Sequence, residues 1–241
     1  GSSDGINAQS QGGDITIENI ESVTSEYGYA INANSGTGNI LIKNVGISTI
    51  SSPTSDTIDR SAEAIGAHTL GGNITIETDD DIHVSNYGIK AYNGDGSTPV
   101  TSGSIDIQVG NVTSGYDAIR AVNYSDYAGS TTSVNVSGNV SSDYIGVSVR
   151  TATGGKVTVT ETGSIYGAGS AIVFEGAVAA NPNDEVILDG TLTGDVEMGG
   201  GDDTFNLGGT ISEGSTLFGG DGSDTCNLSS VTGITLTTTS G

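Results

Sequence analysis

Apolar and polar residues alternate in short strings along nearly the whole chain, with a period of two. The first string of each unit has the form seen in Ala30-Ile31-Asn32-Ala33 and again in Ala118-Ile119-Arg120-Ala121. A second string such as Ile74-Thr75-Ile76 follows, and a third, shorter apolar string closes the unit. A period of two is typical of β-strands with one buried face. The chain therefore predicts repeated units of three short strands.

One such unit cannot bury its Ile and Val side chains alone, but stacked units bury a continuous column and pair their backbone groups. Glycine, Asn, Asp and Ser fill the segments between strings, where tight turns are needed. We therefore predict an all-β fold, a right-handed parallel β-helix of about nine coils with three strands each. A β-sandwich, whose strands recur at roughly 8–12 residues, is the alternative, and the repeated threefold order of strings favours the β-helix.

The whole chain, residues 1–241, is predicted to form one β-helix, with longer coils over 1–193 and shorter Gly/Asp-rich coils over 194–241. Only 34% of the residues are hydrophobic and the net charge is −23, values that would usually indicate disorder. The ordered strings instead indicate a thin solenoid core, which needs only about two or three inward apolar side chains per strand.

Composition excludes several classes of function. Six basic residues against 29 acidic ones leave no basic patch for nucleic acid. The sequence contains no run of about 18 apolar residues, so it predicts no membrane span. The single Cys permits no intrachain disulfide and no zinc site built from Cys.

The sequence contains no recognisable catalytic motif. It has neither a Gly-x-Ser-x-Gly nucleophile elbow nor a Gly-Lys-Ser/Thr phosphate loop. On a strand, the adjacent residues of Asp79-Asp80-Asp81 would point to alternate faces, so their three carboxylates could not converge on one catalytic site. We therefore predict a solvated turn, with His83 as the nearest other titratable group. We therefore predict that the protein is not an enzyme, with a polysaccharide lyase or hydrolase on the same fold as the less favoured alternative.

Two segments of the shorter coils are candidates for calcium binding. Gly219–Cys226 fits the nonapeptide Gly-Gly-x-Gly-x-Asp-x-U-x with Cys at the large apolar position, and Met198–Phe205 fits it except for Met in place of Gly. Calcium takes about 6–8 oxygen ligands, and two turns supply only part of them. Glycine-rich corner turns are therefore the preferred interpretation, and no other cofactor is predicted. The candidate calcium ligands are Asp203, Asp221 and Asp224.

Two insertions in adjacent coils, Tyr92–Ser102 and Tyr124–Thr131, are predicted to lie side by side and to form a contact surface. A third insertion spans Ser51–Glu63. Lys90 and Arg120 hold equivalent places in their coils, which predicts either a small basic spot or charge balance for acidic neighbours. Tyrosines recur before the first strand and predict either a recognition ladder or corner packing, and they are Tyr27, Tyr87, Tyr116, Tyr144 and Tyr166. The candidate binding residues are Lys90, Tyr92, Asp95, Tyr116, Arg120, Tyr124, Asp126 and Tyr127.

The Gly-Asn/Asp-Ile-x-Ile strands, the Gly-x-Ile units and the ending Gly194-Asp195-Val196, followed by Gly-Gly-Gly-Asp-Asp-Thr-Phe-Asn-Leu-Gly-Gly, resemble the passenger domain of a bacterial autotransporter. The resemblance covers nearly the whole chain and extends to pertactin-like and adhesin passengers of type V secretion. It implies a right-handed β-helix that is secreted or exposed at the bacterial cell surface. The usual roles are adhesion, self-association or host-cell interaction. The sequence lacks the translocator barrel of this family and the Gly-Asp-Ser-Gly signature of its protease passengers.

We therefore expect a non-enzymatic virulence or adhesion module that binds a host cell-surface protein or glycan through loops on the β-helix. A secreted ligand that signals through a host receptor and a self-associating passenger are the alternatives. Nucleic acid is not expected among its partners.

Overall fold

The computed structural model describes residues 4–23, 25, 28–50, 63–97, 100–176 and 181–229. Within these ranges the regular structure consists of strands with no helix, and the strands pair in parallel. The predicted all-β architecture of a parallel β-helix is therefore confirmed, while its right-handed sense and the number of coils stay predictions. No helix in this part of the chain is long and apolar enough to cross a membrane.

Short strands alternate with turns along the described chain, and we number them in chain order. They are β1 (Ile6–Ser10), β2 (Ile15–Val23), β3 (Tyr29–Ser35), β4 (Ile40–Ile50), β5 (Glu63–Thr69), β6 (Ile74–Thr78), β7 (Ile82–Val84), β8 (Ile89–Asn93), β9 (Ile105–Val109), β10 (Val112–Ser114), β11 (Ile119–Asn123), β12 (Thr132–Val136), β13 (Asn139–Ser142), β14 (Ile145–Thr151), β15 (Gly155–Val159), β16 (Ser164–Gly176), β17 (Glu185–Leu188), β18 (Thr191–Glu197), β19 (Thr204–Leu207), β20 (Thr210–Ile211), β21 (Leu217–Phe218) and β22 (Thr225–Leu228).

The strands form three parallel ladders, one for each strand of a coil. The first ladder contains β1, β3, β5, β8, β11, β14, β16, β18 and β21. The second contains β2, β4, β6, β9, β12, β15, β17, β19 and β22. The third contains β2, β4, β7, β10, β13, β16, β18 and β20. The strands that occur in two ladders, β2, β4, β16 and β18, continue around a corner of the coil.

Inward-facing residues stack in register from coil to coil, because paired parallel strands keep equivalent side chains on the same face. In the first ladder Ile31, Ile65, Ile89 and Ile119 are successive partners, and none has any exposed surface. Each fully buried side chain of this size stabilises the fold by roughly 1.5–3 kcal/mol relative to an exposed one. The Ile/Val columns predicted from the alternating strings therefore form the core.

The coils of the C-terminal part are the shorter ones. Asn39 and Asn73, which are hydrogen-bonded neighbours in adjacent coils, are 34 residues apart in sequence. The corresponding separation is 19 residues between Asp184 and Asp203 and 21 between Asp203 and Asp224. In the coil between Asn73 and Ser104, which are hydrogen-bonded neighbours 31 residues apart, the extra residues lie in the connection from β8 to β9.

One inward column of the second ladder changes its chemistry along the chain. It contains Ile in the first coils, then Thr and Gly, and finally Asp. In order its members are Ile15, Ile40, Ile74, Ile105, Thr132, Gly155, Asp184, Asp203 and Asp224. At this column the hydrocarbon core therefore gives way to carboxylates.

Candidate functional site

One outer surface of the first ladder, around strands β5, β8, β11 and β14, concentrates aromatic and charged side chains. Phenol rings stack there beside a set of paired charges, and we call this surface the tyrosine face. It consists of Glu63, Tyr87, Lys90, Tyr92, Tyr116, Asp117, Arg120, Tyr144, Arg150 and Glu175.

Three tyrosines stack along one edge of the tyrosine face. The ring centroids of Tyr87 and Tyr116 lie 4.8 Å apart in an edge-to-face arrangement, and those of Tyr116 and Tyr144 lie 4.8 Å apart with nearly parallel rings. This distance matches the spacing of paired strands, because each ring comes from the next coil. Tyr144 is 47% exposed. The predicted ladder is therefore present over three coils, and its last ring is open to solvent.

The prediction was wrong for Tyr166, which does not belong to this stack. It lies in the first half of β16, pairs within the third ladder and is 43% exposed. Tyr166 stands six residues before the inward Ile172, whereas Tyr116 stands three residues before Ile119. Because more residues separate Tyr166 from Ile172, Tyr166 lies in the part of β16 that precedes the corner of the coil, whereas the stacked tyrosines lie after that corner. Tyr27 lies outside the described residues.

Lys90 joins the aromatic stack to a carboxylate. Its Nζ lies 2.8 Å from Glu63 Oε1 and 4.1 Å from the centroid of the Tyr87 ring. The Tyr29 hydroxyl also hydrogen-bonds to Glu63. Only 19% of the Lys90 side chain and 10% of the Glu63 side chain are exposed, so salt screens this pair less than an ordinary surface pair.

Arg120 is the partner of Lys90 in the next coil and joins two carboxylates. Its guanidinium lies 3.3 Å from Asp117 and 3.1 Å from Glu175, which comes from two coils further along. Glu175 Oε1 also accepts the Ser148 hydroxyl at 2.9 Å. The equivalence predicted for Lys90 and Arg120 is confirmed. Both cations are paired with carboxylates, so the structure supports charge balance and not a basic spot.

Burial raises the pKa values of three groups in this network. It raises the pKa of the Asp117 carboxyl, although the charge of Arg120 and its hydrogen bond oppose the change. Burial, with the negative charge of Asp117, raises the pKa of Tyr87 to about 12. Burial also raises the pKa of Tyr92, although the charge of Arg120 and its hydrogen bond oppose the change. These two phenols therefore remain neutral hydrogen-bonding groups at physiological pH.

The two insertions lie side by side, as predicted, and we call their described parts the loop pair. Val100 and Ser125 form a parallel bridge between them, and the Tyr124 N–H donates to the Asn93 carbonyl at 2.9 Å. Gly94 has a φ of 94°, and a side chain at this position would collide with Val100 and Tyr124. Glycine is therefore needed where the first insertion leaves β8.

Buried amides hold the loop pair to the coils. Asn93 Nδ2 donates to Asn123 Oδ1 at 3.0 Å, and the Ser125 N–H donates to the same Asn123 oxygen at 3.0 Å. Both asparagines have 1% or less of their surface exposed. From outside, the guanidinium of Arg150 lies 5.4 Å from the centroid of the Tyr124 ring. The loop pair is therefore fixed next to the tyrosine face on both sides.

The structure places the eight candidate binding residues in two neighbouring groups. The tyrosine face holds four of them, namely Lys90, Tyr92, Tyr116 and Arg120. The loop pair holds the other four, namely Asp95, Tyr124, Asp126 and Tyr127. Tyr127 has 59% of its surface exposed, and Asp95 and Asp126 are exposed as well. Binding through these residues stays a prediction.

Sequence reasoning did not single out the carboxylates that pair with Lys90 and Arg120. Glu63 and Asp117 each stand two residues before an inward Ile, in Glu63-Ala64-Ile65 and Asp117-Ala118-Ile119. This shared position was a usable signal that the two carboxylates belong to one corner. Glu175 carried no such signal, because its contact with Arg120 joins residues 55 apart in sequence.

The calcium candidates lie in the shorter coils. The Asp203 N–H donates to Asp224 Oδ1 at 3.1 Å, so these two residues do occupy matching positions. Asp221 forms a parallel bridge with Gly200. Among the residues that the structure describes, no three His, Cys, Asp or Glu side chains are arranged to hold a metal ion. Calcium binding therefore stays a prediction from the motif alone.

The remaining sequence candidates lie apart from the tyrosine face. Asp79-Asp80-Asp81 is exposed at a turn, as predicted, where Asp81 Oδ1 accepts the Asn111 amide at 2.7 Å. His83 is exposed on β7. The insertion Ser51–Glu63 lies outside the described residues apart from Glu63 itself.

Comparison with known proteins gives no relative: no family model, no curated protein and no solved structure matches this chain. The resemblance to autotransporter passengers therefore stays an expectation from the sequence motifs. Any function must be inferred from the geometry of the tyrosine face and the loop pair.

Proposed function

We propose that the protein is a non-enzymatic virulence or adhesion module, secreted by or exposed on a bacterial cell, that binds a host cell-surface protein or glycan through the tyrosine face and the loop pair. The observation that carries the proposal is the stack of Tyr87, Tyr116 and Tyr144 beside a set of paired charges. Tyrosine suits a recognition surface because it is large, rigid and amphipathic. The bacterial setting follows from the resemblance to autotransporter passengers.

Charge favours this surface over the rest of the molecule. The chain carries a net charge of −23, so the molecule as a whole repels anionic cell surfaces within a screening length of about 8–10 Å. On the tyrosine face three carboxylates are matched by three cations. The carboxylates are Glu63, Asp117 and Glu175, and the cations are Lys90, Arg120 and Arg150. The six charges of the tyrosine face therefore cancel, while the neighbouring loop pair adds the exposed Asp95 and Asp126. A partner that approaches over the tyrosine face meets less negative charge than the net charge of the chain would give.

Rigidity also favours this surface. The three rings pack against one another, and the Lys90 ammonium lies over the Tyr87 ring. The hydrogen bond between Asn93 and Asn123 fixes the loop pair. A flexible side chain costs about 0.5–1.5 kcal/mol when binding immobilises it. Because these groups are already ordered, a partner that contacts them loses less free energy to ordering than it would on a flexible surface.

The test is a titration of the whole chain on cultured host cells, with a fluorescent label on the exposed thiol of Cys226. We expect saturable binding by the wild type. Tyr116→Ala removes the middle ring of the stack and should weaken binding by at least about thirtyfold, which corresponds to the roughly 2 kcal/mol or more of an interface hot spot. Tyr166→Ala is the matched control, because it removes a solvent-exposed tyrosine from another corner of the coil, and it should bind like the wild type.

Two results would contradict the proposal: no saturable binding by the wild type, or the same affinity for both variants. Far-UV circular dichroism and thermal unfolding of each variant check that both have the wild-type fold. Incubation with acidic polysaccharides and calcium tests the enzymatic alternative, which unsaturated products would favour.

A further inference from the structure

Arg150 is a cation of the tyrosine face that has no acidic partner. Among the residues that the structure describes, no carboxylate forms an ion pair or a hydrogen bond with it. The other described Lys and Arg side chains all have such a partner, and they are Lys43, Lys90, Arg120 and Lys156. Because the chain has 29 acidic residues, the unpaired charge of Arg150 does not come from a shortage of carboxylates.

The carboxylate closest to Arg150 along the ladder is used by other groups. Arg150 on β14 is the register partner of Glu175 on β16. Glu175 instead accepts hydrogen bonds from the Arg120 guanidinium at 3.1 Å and from the Ser148 hydroxyl at 2.9 Å. The register partner on the other side is Val122, which is buried and apolar. Neither register partner therefore neutralises Arg150.

The guanidinium of Arg150 is held in place and keeps donors that the protein does not use. Its Cζ lies 5.4 Å from the centroid of the Tyr124 ring, over the face of that ring. Its Nε atom is buried without a hydrogen-bond partner among the described residues. The two terminal nitrogens make no hydrogen bond to a described residue either, and they are not buried. Since all N–H donors of a guanidinium lie in its plane, a ring over its face leaves the terminal donors available.

A guanidinium with available terminal donors suits an oxyanion. Its fork of N–H groups matches two oxygens of a carboxylate, a sulfate or a phosphate, and charge-assisted bonds of this kind are roughly twice as strong as neutral ones. The exposed carboxylates of the loop pair, Asp95 and Asp126, do not form an ion pair with Arg150. The charge that would complete this site is therefore expected from a ligand.

The row of outward side chains that contains Arg150 leads to a polar groove, and we call it the outer row. From coil to coil it consists of Arg150, Val122, Tyr92, His68, Asn34 and Gln9. The groove at its far end has a volume of about 270 Å³, and Gln9, Ser10, Gln11, Asn34 and His68 are among the residues that line it. Its amides, hydroxyl and imidazole donate and accept hydrogen bonds without a fixed charge. Such groups match the hydroxyls of a sugar chain.

We propose that the partner of this surface is an acidic oligosaccharide, whose carboxylate or sulfate group binds Arg150 and whose neutral sugar units lie along the outer row. The inference rests on the proposed function, because it names the class of partner for the same surface. It gives Arg150 the part of a charge anchor, beside tyrosine rings and amides that contact the neutral part of the ligand.

The direct test is an NMR titration of the ¹⁵N-labelled whole chain with sialyllactose, sulfated lactose and lactose. The first two probes add a carboxylate or a sulfate to the same neutral disaccharide, so they distinguish the two acidic groups. At least one of them should bind about tenfold or more tighter than lactose, the gain expected from hydrogen bonds to a charged group. It should also shift the Nε–H signal of Arg150, which is identified by its absence in Arg150→Gln. Equal affinities for the three probes would overturn the proposal, and so would equally tight binding of an acetylated peptide with one Glu.

Variants test whether Arg150 makes this contact. Arg150→Gln should lower the affinity for the acidic probe to that for lactose, and Arg150→Lys, which keeps the charge without the planar fork, should give an intermediate affinity. Lys156→Gln is the matched control, because it removes an exposed cation that is paired with Glu185 on the second ladder, and it should bind like the wild type. The same loss in Lys156→Gln, or an equal loss of lactose binding in Arg150→Gln, would overturn the proposal.

Titration on host cells separates this inference from the proposed function. Removal of sialic acid from the cells, or growth without glycan sulfation, should abolish the binding of the wild type. Binding that survives both treatments would support the proposed function and overturn the acidic oligosaccharide as the partner. Absence of binding to untreated cells would contradict the proposed function, while the titration with soluble probes still decides whether Arg150 binds an acidic sugar.

Discussion

The coils that carry the tyrosine face and the shorter coils after them share one architecture. They differ in the residues of their inward columns and in their outer surfaces. In the first group, inward columns contain fully buried Ile and Val, and the outer surface carries stacked rings, ion pairs and the loop pair. In the second group, an inward column contains Asp184 and Asp203, and consecutive coils are only 19 or 21 residues apart. In the described longer coils around β8 and β11, the additional residues form the loop pair.

The same comparison separates two uses of a buried polar group. Asn93 and Asn123 are buried in the longer coils, where their amides are paired with each other and with the loop backbone, so they fix a surface. Asp184 and Asp203 are buried in the shorter coils, where the Oδ1 atom of each accepts a backbone N–H group from the coil before it. In both groups one oxygen is buried without a hydrogen-bond partner among the described residues, namely Asn93 Oδ1 and Asp203 Oδ2. The first arrangement fixes outer loops, and the second joins the backbones of consecutive coils.

The largest contrast is expected in the core columns. Ile107 and Cys226 belong to the same column of the second ladder, but Ile107 is fully buried and Cys226 is exposed. Ile107→Ala should therefore destabilise the fold by about 2–5 kcal/mol, whereas Cys226→Ala should change stability by no more than about 0.5 kcal/mol. Denaturant unfolding measures both values, and equal costs would mean that the two regions do not differ as described.

The next contrast concerns ion pairs. Arg120→Ala leaves Asp117, whose side chain is 1% exposed, without its cation, and should cost about 3 kcal/mol. Lys156→Ala breaks an exposed pair with Glu185 and should cost at most about 1 kcal/mol. Thermal and denaturant unfolding of the two variants give the comparison. If Arg120→Ala proved as mild as Lys156→Ala, the network of the tyrosine face would not be a structural unit.

A smaller contrast is expected between two asparagines. Asn93→Ala leaves buried polar groups of the loop pair unsatisfied and should cost about 1–3 kcal/mol. Asn227→Ala removes an exposed bond to Asn206 in the shorter coils and should cost no more than about 0.5 kcal/mol. Limited proteolysis should in addition cut the loop pair faster in Asn93→Ala. Unchanged cleavage would show that other contacts hold these loops.

Much of this fold could be predicted from the sequence, because a strand with one buried face repeats its apolar positions every second residue. The register of Ile89 with Ile119, and of Lys90 with Arg120, follows directly from aligning equivalent strings. The neighbouring insertions could also be placed side by side, because both leave the same strand of successive coils.

The details of the tyrosine face could not be predicted, because they depend on how connections of unequal length turn each corner. Tyr166 was assigned to the ladder from a similar position in sequence, but a longer approach to Ile172 leaves it in the preceding strand. The contact of Arg120 with Glu175 crosses two coils and passes over an intervening strand. For Asp184, the sequence does not distinguish an inward position from a turn, and only the register with Gly155 reveals it.

Hydrogen exchange measured strand by strand at pH 7 tests most directly whether the coils of the tyrosine face are more stable than the shorter coils after them. We expect the amides of β8, β11 and β14 to exchange slowest, and those of β17 and β19 at least about tenfold faster. Equal protection in both regions would contradict the account.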